Sequence, residues 1–226
     1  MIDISNVEVI GWEHAIHGMR NPMNSWDKSD TDYGLIGNFV DIGVADYELM
    51  MKLRNAGTDH RKFMRMIAVY MDINAPLYWW KEYDTYKVGT VANSCSTMHK
   101  IHEKEFTMED FSHEHLTGET DGLWVNADGR DFMCSAWDFC QITCDVLNHY
   151  RELYLKTKDK KYWQQIIQLL PSSYNQKRTL MLNYEVLANI YKSRRNHKLD
   201  EWHEFCKLIE TLPYSELITG ERNNEN

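Results

Sequence analysis

The chain is predicted to fold in the α+β class, with a small central sheet and long C-terminal helices. Three observations carry this. Residues 64–73 are rich in Ile, Val, Met and Tyr with partial alternation, the pattern of a half-buried strand. The last hundred residues instead repeat at helical spacing, with Leu180, Tyr184, Leu187 and Tyr191 along one stripe. No internal repeat or low-complexity segment suggests a solenoid or an array.

Taken in order, residues 7–10 read as a short strand and 13–19 as a short helix. Residues 21–38, rich in Asp, Asn, Ser and Gly, read as loop. A helix over 46–55 places Leu49, Met50 and Leu53 on one face, and Gly57 stops it. After the strand at 64–73, Pro76 opens a helix to about Tyr83, because proline suits a first helical turn. Residues 87–98 read as irregular, and 104–130 as two short acidic pieces broken at Gly118, Gly122 and Gly129. Helices follow over 135–155, over 161–170 (halted by Pro171), over 176–195 and over 200–211. One domain is expected over 1–219, with a disordered tail over 220–226.

Composition limits function. Apolar residues are 43% and charged residues 26%, enough for a sizeable core. Twelve Met, thirteen Tyr and eight Trp give wide, adaptable packing surfaces, as interfaces and flat-ligand pockets have. The net charge of −9 repels a nucleic-acid backbone, and the basic runs at 156–161 and 192–198 read as solvated surface. No apolar run reaches membrane-spanning length, so no membrane partner is expected. Five cysteines, an odd number without a CxxC pair or a secretory leader, read as reduced thiols of a cytoplasmic protein. Cys140 and Cys144, one helical turn apart, suit core packing.

Several residues could carry chemistry. His99, His102, Glu103, His113, Glu114 and His115 are close in sequence, but HExxH is absent. They read as solvated histidines and no metal is expected; His14 and His17 read as helix surface. Cys95 between Ser94 and Ser96 lacks a nucleophile elbow and an evident His/Asp partner. Neither a Walker loop nor GxGxxG is present, so phosphate would rest on the hydroxyls and amides of 90–97, helped by Lys87, or that stretch is a structural turn. On a helix over 176–195, Asn183 and Arg194 would share a face roughly 16 Å apart, long enough to line a flat ligand. An exposed Asn and Arg are also ordinary helix surface.

The residues resemble one family over most of the chain. DISNVEVIGWEHAIHGMR is similar to the opening strand and helix of the flavin-dependent thymidylate synthases. LMMKLRNAGTDH is similar to the helix leading into their glycine-histidine turn, and RMIAVYMDINAPLYWW to their central strand and Ala-Pro step. LLPSSYNQKRTLMLNYEVLANIYKSRRNHKLDEW is similar to their Leu-Pro turn, a helix with two asparagines and an arginine, and a terminal Trp helix.

The resemblance implies homotetramers binding FAD and dUMP at subunit interfaces, with methylenetetrahydrofolate as carbon donor and NADPH as reductant. The reaction implied is methylation of dUMP to dTMP. By the same resemblance, His60, Asn183 and Asn189 contact the flavin. Arg194 holds the pyrimidine and polarises its carbonyl, and Lys87, Ser94 and Ser96 contact the phosphate or the ring. Trp79, Trp80 and Tyr83 are expected to pack, with flavin stacking as the alternative. Where relatives keep an Arg-His-Arg step and spaced serines, this chain reads TYKVGTVANSCSTMH, with Lys87 standing in for one arginine. Glu185 occupies a position where arginine is usual, and Ile167 or Gln168 another. Two other readings share the fold: a non-catalytic binding or oligomeric homologue, and a nucleotide hydroxymethylase.

Overall fold

The computed structural model describes residues 1–34 and 40–220. The tail over 220–226 lies outside the described residues beyond Gly220, as does the 35–38 part of the expected loop. In chain order the elements are β1 (Asp3–Ile10), α1 (Trp12–Arg20), β2 (Asp32–Tyr33), β3 (Val40–Asp41), α2 (Val44–Asn55), β4 (Ala68–Pro76), α3 (Leu77–Tyr83) and β5 (Val91–Ser94). Then come β6 (Trp124–Ala127), β7 (Arg130–Met133), α4 (Ala136–Thr157), α5 (Lys160–Leu169), β8 (Asn175–Asn183), α6 (Tyr184–Arg194), α7 (Asp200–Thr211) and α8 (Glu216–Thr219). One sheet has the order β1-β4-β8-β5, so the class is α+β as expected.

Four local readings are corrected. The helix expected over 176–195 begins only at Tyr184, because NQKRTLMLN is strand β8. Its Gln176, Leu180 and Leu182 are buried while Lys177 and Thr179 are exposed. Period-two burial thus overrides the good helix propensities of Lys, Arg, Leu and Met. Asn183 consequently sits at the end of the strand and not on a helical face with Arg194. The strand expected from residue 64 starts at Ala68, after a 3-10 turn over Arg61–Arg65.

The irregular stretch 87–98 contains β5, whose four residues are all exposed, so no burial alternation marks it. Residues 124–133 form a hairpin with Ala127 opposite Arg130. Asp128 (φ 52°) and Gly129 (φ 74°) make its two-residue turn, the left-handed pair that an Asp-Gly step supplies.

The described chain divides into two compact units. The first comprises Met1, 74–82 and 94–177. Its core gathers Ile101, Phe106, Phe111, Cys144, Leu147 and Ile166, with Cys140 packed against it. Ser135 caps α4 through a reciprocal box with Asp138, and Asp159 caps α5. Trp79 and Trp80 are buried edge to face at 4.9 Å, and the Trp80 indole N–H donates to the Gln176 carbonyl at 2.8 Å. They pack, as expected.

The second unit comprises 2–73, 83–93 and 178 onward. Trp12 meets Tyr184 and Tyr214 edge to face at 5.3 and 5.4 Å, which joins the starts of α1 and α6 to the segment between α7 and α8. Gly11, at φ 94°, precedes α1, and a Cβ there would lie 2.2 Å from the Met66 carbonyl oxygen. Both backbone angle and space demand glycine. The buried Asp46 carboxylate accepts from Arg20 Nε at 2.6 Å, and from the Ser29 and Thr31 hydroxyls at 2.7 Å each. It also accepts the Asp30 and Thr31 backbone N–H groups. Among the described residues, no helix is long and apolar enough to cross a membrane.

Candidate functional site

The junction of β8 and α6 in the second unit gathers several of the expected residues. Asn183 adopts extended φ/ψ and caps α6: its Oδ1 accepts the Val186 N–H at 3.0 Å. Its Nδ2 donates to the Gly89 carbonyl at 3.3 Å. One side chain thereby ties the start of α6 to the turn that carries Tyr86, Lys87 and Thr90. Gly89, at φ 78°, allows that turn, and a Cβ there would lie 3.2 Å from the same Nδ2.

At the other end of α6 stands Arg194, half-buried. Its Nε donates to the Tyr86 hydroxyl at 2.9 Å, and its guanidinium lies 4.8 Å from the Trp202 ring centroid. Hydrogen bond and ring fix the plane of the cation. Tyr86 in turn meets Trp202 edge to face at 6.2 Å. Lys87, the next residue, is exposed.

A second cluster faces the turn after Gly57. Arg61 donates from Nε to Glu185 Oε1 at 3.0 Å and from Nη2 to Asn189 Oδ1 at 3.3 Å. Glu185 is buried and its Oε2 has no hydrogen-bond partner. An unpaired buried carboxylate oxygen costs free energy, so the position accepts a donor readily. His60 is exposed at the start of the same turn. Burial, and next the like charge of Arg61, lower the Arg54 pKa below its usual value. Arg178 pairs with Asp84 at 2.9 Å.

Lys87, Asn183, Asn189, Arg194 and His60 therefore all belong to the second unit, whereas Ser94 and Ser96 belong to the first. Ser94 ends β5 and is exposed. The Ser96 hydroxyl accepts the backbone N–H groups of Met98 and His99 at 3.2 and 3.0 Å, which makes it a turn former. Cys95 continues the strand pairing through its N–H to the Lys177 carbonyl at 2.9 Å. Sequence reasoning does not single out Tyr86 or Arg61, and it reads Trp202 only as the tryptophan of the terminal helix, with no role in the site. An acidic residue at a usual arginine position was the available signal that a cation such as Arg61 stands nearby. Among the described residues no group of three His, Cys, Asp or Glu is placed to hold a metal. His113 Nδ1 bonds the Phe111 carbonyl oxygen at 2.8 Å, and His102 stacks edge to face on Tyr154 at 4.9 Å.

The architecture has solved counterparts. Thymidylate synthase X (ThyX) from Helicobacter pylori, solved with FAD and dUMP, matches over 97% of this chain and 98% of its own, with a TM-score of 0.66 at 16% identity. The fold is that of the flavin-dependent thymidylate synthases. A second structure of the Helicobacter pylori enzyme with FAD and dUMP matches over 96% and 99% of the two chains, at TM-score 0.65 and 17% identity. The UMP/dUMP methylase PolB from Streptomyces cacaoi, solved with 5-Br UMP, matches this chain over 93% and 88% of the two chains, at TM-score 0.58 and 13% identity. No family model and no curated protein matches the sequence.

Proposed function

We propose that this chain is a flavin-dependent one-carbon transferase that methylates a pyrimidine deoxynucleotide, of the dUMP to dTMP type. It would work as a cytoplasmic homotetramer with methylenetetrahydrofolate as carbon donor. The observation that carries the reading is Arg194: a half-buried guanidinium oriented by the Tyr86 hydroxyl and the Trp202 ring. A planar cation held in this way suits a pyrimidine carbonyl oxygen and the negative charge that gathers there when C5 becomes nucleophilic. No cysteine attack is required.

The residues present fit a flavin on donor and acceptor chemistry. The buried Glu185 Oε2 lacks a donor, and the ring N–H and ribityl hydroxyls of FAD are donors. Asn189 and His60 are exposed beside it and would hold the ring system or its chain. Bound FAD, reduced by NADPH, would supply the hydride that completes the methyl group. Asn183 is committed to capping α6 and to Gly89, so it would act by shaping the turn that presents Tyr86 and Lys87. Lys87 would meet the phosphate. An accepting Ser96 hydroxyl keeps its own proton to donate, and Ser94 is exposed.

The test is uptake of FAD by the purified protein, read by its visible absorption, followed by dUMP calorimetry. The reading expects flavin binding, and a dUMP affinity that falls in Arg194→Ala by about 10- to 150-fold. That corresponds to one charged hydrogen bond of about 1.5–3 kcal/mol. A protein that takes up no flavin overturns it in favour of the non-catalytic homologue. Flavin binding with unchanged dUMP affinity in Arg194→Ala refutes the carbonyl role.

A further inference from the structure

We infer that the Tyr86 hydroxyl is a second donor to the pyrimidine carbonyl oxygen, a catalytic residue beside Arg194; this rests on the nucleotide reading above and deepens it. The starting observation is a proton without a destination. The Tyr86 oxygen accepts from Arg194 Nε at 2.9 Å, so its own O–H remains to donate. Among the described residues no group accepts that proton. The side chain is half-buried, so its hydroxyl stays within reach of a ligand.

The group is fixed before any ligand arrives. The Tyr86 N–H donates to the Tyr83 carbonyl at 2.9 Å, and the Thr90 hydroxyl donates to the Tyr86 carbonyl at 2.8 Å. The ring lies edge to face on Trp202, and the Arg194 guanidinium carbon stands 5.6 Å from its centroid. A donor held in place needs no reorganisation when charge develops. Its direction follows from the guanidinium, whose N–H groups lie in one plane, the one next to Nε–H running parallel to it. A ligand oxygen met on that edge stands beside the Tyr86 oxygen, where the O–H can turn to it. A neutral carbonyl gains an ordinary hydrogen bond there. An enolate oxygen gains a charge-assisted one, roughly twice as strong. Tyr86 therefore acts chiefly on the state in which C5 has become nucleophilic. Its proton stays on the phenol, and no bond is made or broken.

The test is calorimetry on the full, flavin-loaded chain at slightly acid pH, with two ligands. One is dUMP; the other is the deoxynucleotide of barbituric acid, whose ring is an anion with its charge on the carbonyl oxygens. Tyr86→Phe keeps the ring contacts and removes the hydroxyl. Its affinity for the barbiturate nucleotide is expected to fall by about 10- to 150-fold, the loss of a hydrogen bond to a charged group. For dUMP it is expected to fall by only about 2- to 10-fold, the loss of a neutral one. Ring fluorination makes a phenol a stronger donor and a weaker acceptor, so a fluorotyrosine incorporated at position 86 is expected to tighten barbiturate binding. Equal losses for both ligands in Tyr86→Phe, or weaker barbiturate binding with the fluorotyrosine, overturn the proposal, because the phenol then only holds Arg194. A parent protein that takes up no flavin or binds neither nucleotide overturns the nucleotide reading and this proposal with it. A parent that binds both, with either result above, fails this proposal alone.

Discussion

Asp46→Asn offers a sharp test of what holds the second unit together. The Asp46 carboxylate is fully buried, and its partner Arg20 is 4% exposed. Oδ1 accepts from Arg20, while Oδ2 collects two hydroxyls and two backbone N–H groups. An asparagine keeps the volume. It removes the carboxylate charge that compensates a buried guanidinium, whose Nη1 donates to the Ser25 carbonyl at 3.2 Å and whose Nη2 lacks a partner, and it can turn an NH2 toward two backbone donors that cannot rotate away. Breaking one member of a buried pair costs about 3–5 kcal/mol. For a chain of this size that lowers the melting temperature by roughly 6–20 °C, at about 2–4 °C per kcal/mol.

The measurement is urea unfolding followed by tryptophan fluorescence. A loss below about 1 kcal/mol refutes the reasoning, because a surface pair would give that much. The double variant Arg20→Met with Asp46→Leu should recover most of the loss, since paired apolar replacement removes both desolvation costs. Acid should act through the same group. Hydrogen bonds to Ser29, Thr31 and Arg20 outweigh burial and hold the Asp46 carboxyl below its ordinary pKa. Its contribution is therefore present above about pH 4, the ordinary carboxyl value, and is lost as pH falls through the lowered one. The consequence reaches the site, because α2 packs on the turn that carries Arg61.

Three further outcomes are expected. Asn183→Ala should destabilise by about 0.5–2 kcal/mol through the lost cap, whereas Asn183→Asp, which still accepts from Val186, should lose less by chemical denaturation. In native protein at pH 8, an Ellman-type reagent should modify Cys95 first: Cys95 is exposed, and burial pushes Cys144 and Cys206 up to about 11. Arg178→Ala should weaken dUMP binding by calorimetry, while Arg61→Ala should lower urea stability measurably by leaving Glu185 buried and unpaired.

The class of the fold is readable where one periodicity dominates: α7 falls on residues 200–211 as expected, because Trp202, Phe205, Cys206 and Ile209 form one buried stripe. Strand β8 is harder to read because its residues favour helix and its alternation covers only a few positions before Asn183 turns the chain into α6. Strand β5 carries no burial signal at all, being exposed at every position. Of the site residues named from resemblance, Asn183, Asn189 and Arg194 each take a partner 94 to 128 residues away in sequence: Gly89, Arg61 and Tyr86 respectively. No local pattern encodes a contact at such separation.

The charge around the candidate site has a physical consequence for any anionic substrate. A chain of net charge −9 attracts a phosphate only through locally available cations. Arg61 is 18% exposed and its carboxylate partner 7%, so giving up that pair would strand a buried charge. Arg178 pairs with Asp84, which is 42% exposed and returns to water at little cost. Lys87 is exposed on the turn held by Asn183. The cation exchange that a nucleotide needs can thus occur at Lys87 and Arg178, while Arg61 and Glu185 stay locked. On the proposed reading, Lys87 and an arginine whose carboxylate partner can return to water would meet the phosphate of the nucleotide.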